Sequence, residues 1–248
     1  MRVDSIKIKP RLIGAFLIVA LIAALIGFKG LSGMGLMMTA QDEIAAVRLP
    51  SIQGLALMEA GQSNVRMATL TLTIPGLDAQ IRRDQFERLK DSWDELEKGW
   101  KIYEPLPQTK EEAAEWKLYT PSFETWKADH MKVIAFVEAG DLVSGQELAF
   151  GKLREDYNES KGHLDKIKAI NYEVAKQSEE FGDRAYDSAR MTMILFMTVG
   201  VVLAIGLGIF IARVISAPVI EIAAAAEKVA DGDLRVSIDN DSRDEIGN

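Results

Sequence analysis

Two uninterrupted apolar blocks, residues 12–28 and residues 191–212, most constrain what this 248-residue chain can become. The first holds 17 uncharged, mostly aliphatic residues and the second 22, and about 20 such residues in a helix span the hydrocarbon core of a bilayer. The rest is polar: 27% of all residues are charged and the mean hydropathy is only +0.02. The apolar residues are therefore concentrated, and the expectation is two transmembrane helices with a soluble segment between them.

Arg2, Lys7, Lys9 and Arg11 precede the first block, as they would in a secretory signal. No convincing small-x-small cleavage site follows it, and apolar residues continue past Lys29 through Leu31, Met34, Leu36 and Met37. The block reads as an uncleaved anchor over residues 12–38, with Lys29 reaching for the far interface. Four basic residues before the first block and Arg213 directly after the second place both termini in the cytoplasm. Residues 39–190 are then extracytoplasmic.

Residues 39–189 carry 28 acidic and 19 basic side chains, a net charge of −9, which argues against nucleic acid as a partner. There are no cysteines, and His130 and His163 are the only histidines, without carboxylates at ligand spacing. No metal and no cofactor is expected. No nucleophile with its base, no paired acid and base and no Gly-rich phosphate loop occurs, so no enzyme is expected in this stretch.

The extracytoplasmic segment reads as all-α, four long helices separated by three breaks. The first runs to Thr73, where Ile74, Pro75 and Gly76 form a turn that Asp78 closes as an N-cap. The second runs to about Tyr103 and stops at Glu104, Pro105, Leu106 and Pro107. Thr109 and Glu112 make a capping-box pattern that starts the third, which is expected to bend or restart at Pro121 and to end at Gly140. Ser144 and Glu147 repeat the pattern and start a fourth helix with no stop before the second apolar block.

In that fourth helix Phe150, Leu153, Tyr157, Ser160, Leu164, Ile167, Asn171, Val174, Ser178, Phe181, Ala185 and Ser188 alternate by three and four residues, a seam like that of a coiled coil. Many of these are small or polar, so the seam is less tightly specified than one of leucines and fits a moving part. Short connections favour an antiparallel up-down-up-down bundle.

Beyond Arg213, residues Ile215, Pro218, Ile222, Ala225 and Val229 fall on one face of a short helix that ends at Asp231-Gly232-Asp233-Leu234. Val236 and Ile238 are packing anchors of a connector, and Asp244-Glu245-Ile246-Gly247 reads as the start of another helix. Pro218, Gly232-Asp233-Leu234 and Asp244-Glu245-Ile246-Gly247 together resemble a HAMP linker, here incomplete over residues 213–248. Ala223 to Ala226 fit both plain helix propensity and close packing around a shared axis.

The outer half is similar to the four-helix-bundle sensing domain of methyl-accepting chemotaxis proteins, through Arg48-Leu49-Pro50 and Leu164-Asp165-Lys166-Ile167 with Asn171. The resemblance covers the input half of such a receptor. It implies a homodimer in the bacterial inner membrane that senses a small-molecule ligand, directly or through a periplasmic binding protein. It also implies a cytoplasmic kinase and adaptor reached through a further C-terminal part, with Pro218, Ile222, Val229, Gly232, Asp233, Leu234, Asp244, Glu245 and Gly247 in the relay. The same input arrangement resembles that of sensor histidine kinases and some cyclic-dinucleotide enzymes.

Arg66, with Gln62 and Thr69 beside it and Ser63 and Asn64 on the same helix, is the candidate for holding a ligand carboxylate at a dimer interface, because guanidinium offers a matching fork of donors. In amino-acid-sensing members of the resembled family arginines of this helix do so, but here Gly61 stands where another would be expected. Trp93, Trp100, Trp116 and Trp126 either line a pocket or fill the core. Asn158-Glu159-Ser160 has the form of a glycosylation acceptor and is read as chance.

Overall fold

A computed structural model describes residues 7–232, and among them every regular element is helical. They divide into two units, Met38–Asp183 and residues 7–37 together with 184–232, each described here by itself.

The first unit begins with the last residues of helix α1 (Ile8–Asp42), which passes through a π-helical turn (Glu43–Arg48) into α2 (Leu49–Leu72). A turn at Gly76, whose φ of +69° suits glycine, leads to α3 (Ala79–Tyr103), which Asp78 caps by accepting hydrogen bonds from the backbone of Gln80 and Ile81. The two prolines end α3, and α4 (Lys110–Glu138) starts at a complete capping box: Thr109 Oγ1 accepts from Glu112 N and Thr109 N donates to Glu112 Oε2. Helix α5 (Leu142–Phe150) and α6 (Lys152–Ile211) follow.

Two local expectations are corrected and one is narrowed. Helix α4 continues through Pro121 without restarting. The next helix begins at Leu142, because the Asp141 carboxylate, directly after Gly140, accepts from Ser144 N; Ser144 is inside the first turn and is not the cap. The fourth helix is also interrupted at Gly151, a poor helix former, which separates Phe150 from the seam and leaves it 58% exposed.

Past that break the seam holds where it fills the core. Leu153, Tyr157, Ser160, Leu164, Ile167 and Asn171 are buried, Val174 and Ser178 are half-buried, and Phe181 is exposed. One apolar core joins Leu55, Met58, Val65 and Leu72 of α2, Leu89 and Leu96 of α3, Phe123, Trp126 and Val133 of α4, and Leu164 and Ile167 of α6. Helices α2 and α3 run antiparallel and touch through glycines: a Cβ on Gly99 would stand 2.5 Å from the Gly54 carbonyl oxygen, and one on Gly61 2.7 Å from that of Ser92. Gly61 therefore faces α3, where no arginine could be accommodated.

In the second unit α1 packs on the late part of α6 through small residues, Gly33 against Ala189 and Gly200 against Ile22, a mode suited to helices in lipid. Both helices are long and apolar enough to cross a membrane and turn Phe16, Leu17, Leu195 and Val202 outward. A second π-helical turn (Ala212–Ser216) then leads into α7 (Ala217–Ala230). Each π-helical turn ends two residues before a proline, Pro50 and Pro218. A proline has no N–H for the carbonyl four residues back and its ring crowds that carbonyl. The wider turn accommodates both, with Leu49 N bonded to Ile44 O and Ala217 N to Ala212 O.

Candidate functional site

The bundle is held by two buried polar layers. In the first, Arg48, at the end of the π-helical turn, donates through Nη1 to Glu112 Oε2 (2.5 Å) and Asn171 Oδ1 (3.0 Å), through Nε to Glu43 Oε1 (2.8 Å) and through Nη2 to the Pro107 carbonyl (3.2 Å). Glu112 also accepts from Asn171 Nδ2 (2.6 Å) and the Tyr103 hydroxyl (3.2 Å), and Asn171 returns a bond to Ile167 O. Arg48 is 3% exposed and Glu112 and Asn171 not at all.

Burial opposes the charge on Arg48, but Glu112 and then Glu43 outweigh it and hold the guanidinium more firmly protonated than usual. Burial and the neighbouring Glu112 push the Tyr103 phenol upward, so it stays neutral and donates. Every carboxylate oxygen of Glu112 thus has donors, the condition under which a buried ion pair is tolerated. The layer ties the π-helical turn, the α3–α4 connection and α6 together. Arg48 and Asn171 are both among the residues that carry the sequence resemblance. Glu112, which joins them, reads in sequence only as a cap.

The second layer lies further along α2. Gln62 Nε2 donates to Ser160 Oγ (2.9 Å), and the Thr69 hydroxyl lies 2.7 Å from the Val65 carbonyl and 2.9 Å from His130 Nδ1. Gln62, Thr69 and His130 are all buried, so the two residues expected beside Arg66 point into the bundle. Burial pushes the imidazole of His130 down to about 4 and keeps it neutral at pH 7. Arg66 is half-buried, its guanidinium 4.7 Å above the Tyr157 ring, and it makes no ion pair among the described residues. Ser160 of the Asn158-Glu159-Ser160 pattern is buried inside α6 and accepts from Gln62.

Close by, Asp156 of α6 is buried and its carboxyl is raised by that burial, while Asp129 of α4 is lowered by Lys132 at 2.6 Å. Trp126 fills the core, and Trp93, Trp100 and Trp116 are half-buried in a chain of ring contacts along α3 and α4. All four tryptophans thus belong to the core or pack against it, with part of Trp93, Trp100 and Trp116 left open.

On the outer side of α2, Leu49, Gln53, Ala56, Ala60 and Met67 are exposed, with Ser63 half-buried among them. Their spacing by four and three makes a straight stripe along the helix. At the other end of the chain, Ile215, Pro218 and Ile222 are half-buried and Ala225 is buried, whereas Val229 is 46% exposed. Gly232 ends α7 with φ of +94°. Asp233, Leu234, Asp244, Glu245 and Gly247 lie outside the described residues.

A bundle with a polar spine, two membrane-length helices and a helix continuing beyond the second of them define a helical module of the membrane-attached class. Comparison with known families names it: residues 5–186 match the four helix bundle sensory module for signal transduction, and residues 210–248 match the HAMP domain. The chain belongs to that sensory-module family. It is also 25% identical over 170 residues to a protein of Acetivibrio thermocellus named as a sensory transducer, an alignment covering 68% of this chain. The chain spans about 30% of the length of that relative. No solved structure matches it.

Proposed function

We propose that the chain is the input half of a homodimeric chemoreceptor of a bacterial inner membrane. In this reading residues 12–38 and 191–212 cross the membrane, residues 39–190 sense a signal outside the cytoplasm, and residues 213–248 pass it to a cytoplasmic kinase and adaptor that control chemotaxis. The stretch itself performs no catalysis. The observation that carries this reading is α6, a single helix of 60 residues that begins in the core seam of the bundle and ends at the π-helical turn before α7. A shift of that seam is transmitted along a helix without a break to absorb it. The family match and the named relative favour this output over a histidine kinase.

The exposed stripe on α2 is where two copies meet in this proposal, since its small residues let helices approach and its spacing matches a coiled-coil seam. Arg66 flanks Met67 of that stripe, and among the described residues its guanidinium lies over the Tyr157 ring without an ion pair. An anionic ligand bound between subunits would complete its pairing, with Gln62 and Thr69 fixing the helix behind it. The test is calorimetry on the chain in lipid nanodiscs against succinate, citrate and L-aspartate. A carboxylate that binds should lose about 1.5–3 kcal/mol of affinity in Arg66→Ala, the size of a charged hydrogen bond. Unchanged affinity in the variant would remove Arg66 from the site.

A further inference from the structure

Trp93 and Trp100 stand seven residues apart on α3, two turns along one face. Both pack on Phe123 of α4, with centroids at 6.2 and 5.3 Å, yet neither is fully covered. Together with Leu96, Phe123 and Met131 they line a groove of about 410 Å³ between α3 and α4. Met131 is left 54% exposed at its side. Half-covered indoles on a surface otherwise rich in charge are a feature that a monomeric bundle would gain by burying.

The rim of the groove is acidic. Asp94, Glu97, which is paired with Lys101 one turn further along α3, and Glu124 border it together with Lys127. That cation already shows what the groove attracts: Lys127 Nζ lies over the Trp93 ring, 5.8 Å from its centroid. An indole face is the best aromatic partner for an ammonium group, and with Glu97 held by Lys101 the carboxylates of Asp94 and Glu124 stand beside the one ammonium of Lys127. The groove's charge, its apolar floor and its indole faces all match a ligand with a positive head and an apolar body.

We infer that this groove is a second ligand site, taking a small organic cation of the aryl or alkyl quaternary-ammonium class. The ligand's head replaces Lys127 on the Trp93 face and is held by the rim carboxylates, while its apolar body lies along Trp100 and Phe123. The inference does not rest on Arg66, which is on α2 against α6 and serves an anion.

Calorimetry on the whole chain in nanodiscs tests it with 3-hydroxyphenyltrimethylammonium and its neutral isostere 3-tert-butylphenol. Saturable binding of the cation at one site per chain, and at least tenfold weaker binding of the isostere, are expected. Lys127→Met should tighten binding of the cation by roughly two- to fivefold, the worth of an exposed cation–π contact, because it removes the internal competitor. Asp94→Asn combined with Glu124→Gln should weaken it, and Trp93→Leu should abolish it. Since Trp93→Leu disturbs packing, the decisive variant is the gain in Lys127→Met, which loss of folding cannot imitate. No saturable binding, equal binding of the isostere, or unchanged or weaker binding in Lys127→Met would overturn the site.

Discussion

Arg48 and Glu112 are separated by 64 positions in sequence and meet at 2.5 Å with both side chains almost wholly out of solvent. The pair joins the π-helical turn before α2 to the first turn of α4, and Asn171 extends it to α6. Removing Arg48 leaves Glu112 buried without a cation, and removing the Glu112 charge leaves the buried Arg48 with the half-exposed Glu43 as its carboxylate partner. Glu112→Gln is expected to destabilise the chain by about 3–5 kcal/mol, and the double variant Arg48→Met/Glu112→Leu by less than the two single variants together. Denaturant unfolding followed by circular dichroism checks both.

The glycine contact between α2 and α3 predicts opposite effects for two similar substitutions. In Gly99→Ala the new methyl would meet Gly54 O at 2.5 Å and Met58 N at 2.8 Å, so helices must separate at a cost of about 1–3 kcal/mol. Gly162 is a helical position with open space around it, and Gly162→Ala should stabilise by about 0.5–1 kcal/mol through helix propensity. Midpoints of thermal unfolding for the two variants should move in opposite directions.

His130 makes stability depend on pH. Its folded pKa of about 4 lies below the unfolded value of 6.5, so the unfolded chain binds the extra proton and stability falls as pH drops from about 6.5 towards 4. The loss from this residue between pH 7 and pH 5 comes to about 2 kcal/mol. His130→Leu should flatten the profile over that interval, at the expense of the hydrogen bond with Thr69. A variant with the wild-type slope would assign the dependence to other groups.

Much of this architecture was legible because its signals are local. Asp78, Thr109 with Glu112, and Gly140 mark helix ends through chemistry within one turn, and the two apolar blocks need only length and composition. What sequence could not give is pairing. Glu112 reads as a cap whether or not an arginine 64 positions away also reaches it. Gln62 and Thr69 fall near Arg66 on a helical projection, yet a small difference in rotation turns them inward to Ser160 and His130. Gly61 reads as a missing arginine until α3 is seen against it. The two π-helical turns escaped because prolines in helices have several outcomes: Pro50 and Pro218 are preceded by widened turns, whereas Pro121 lies within an α-helix.

The relay is the centre of the account, and α7 is where it can be measured. Pro218, Ile222 and Ala225, with Ile215 of the preceding π-helical turn, form its less exposed face, and a lone amphipathic helix of 14 residues is marginal in water without partners for that face. In a paired HAMP bundle Ile222 lies near the two-fold axis and Lys228, exposed here, lies away from it. A disulfide requires Cα atoms within roughly 7 Å. In the complete membrane protein under mild oxidation, Ile222→Cys should therefore form an intersubunit disulfide much faster than Lys228→Cys. The chain has no native cysteine to compete. Equal rates at the two positions, or no crosslink at either, would contradict a relay built on paired helices.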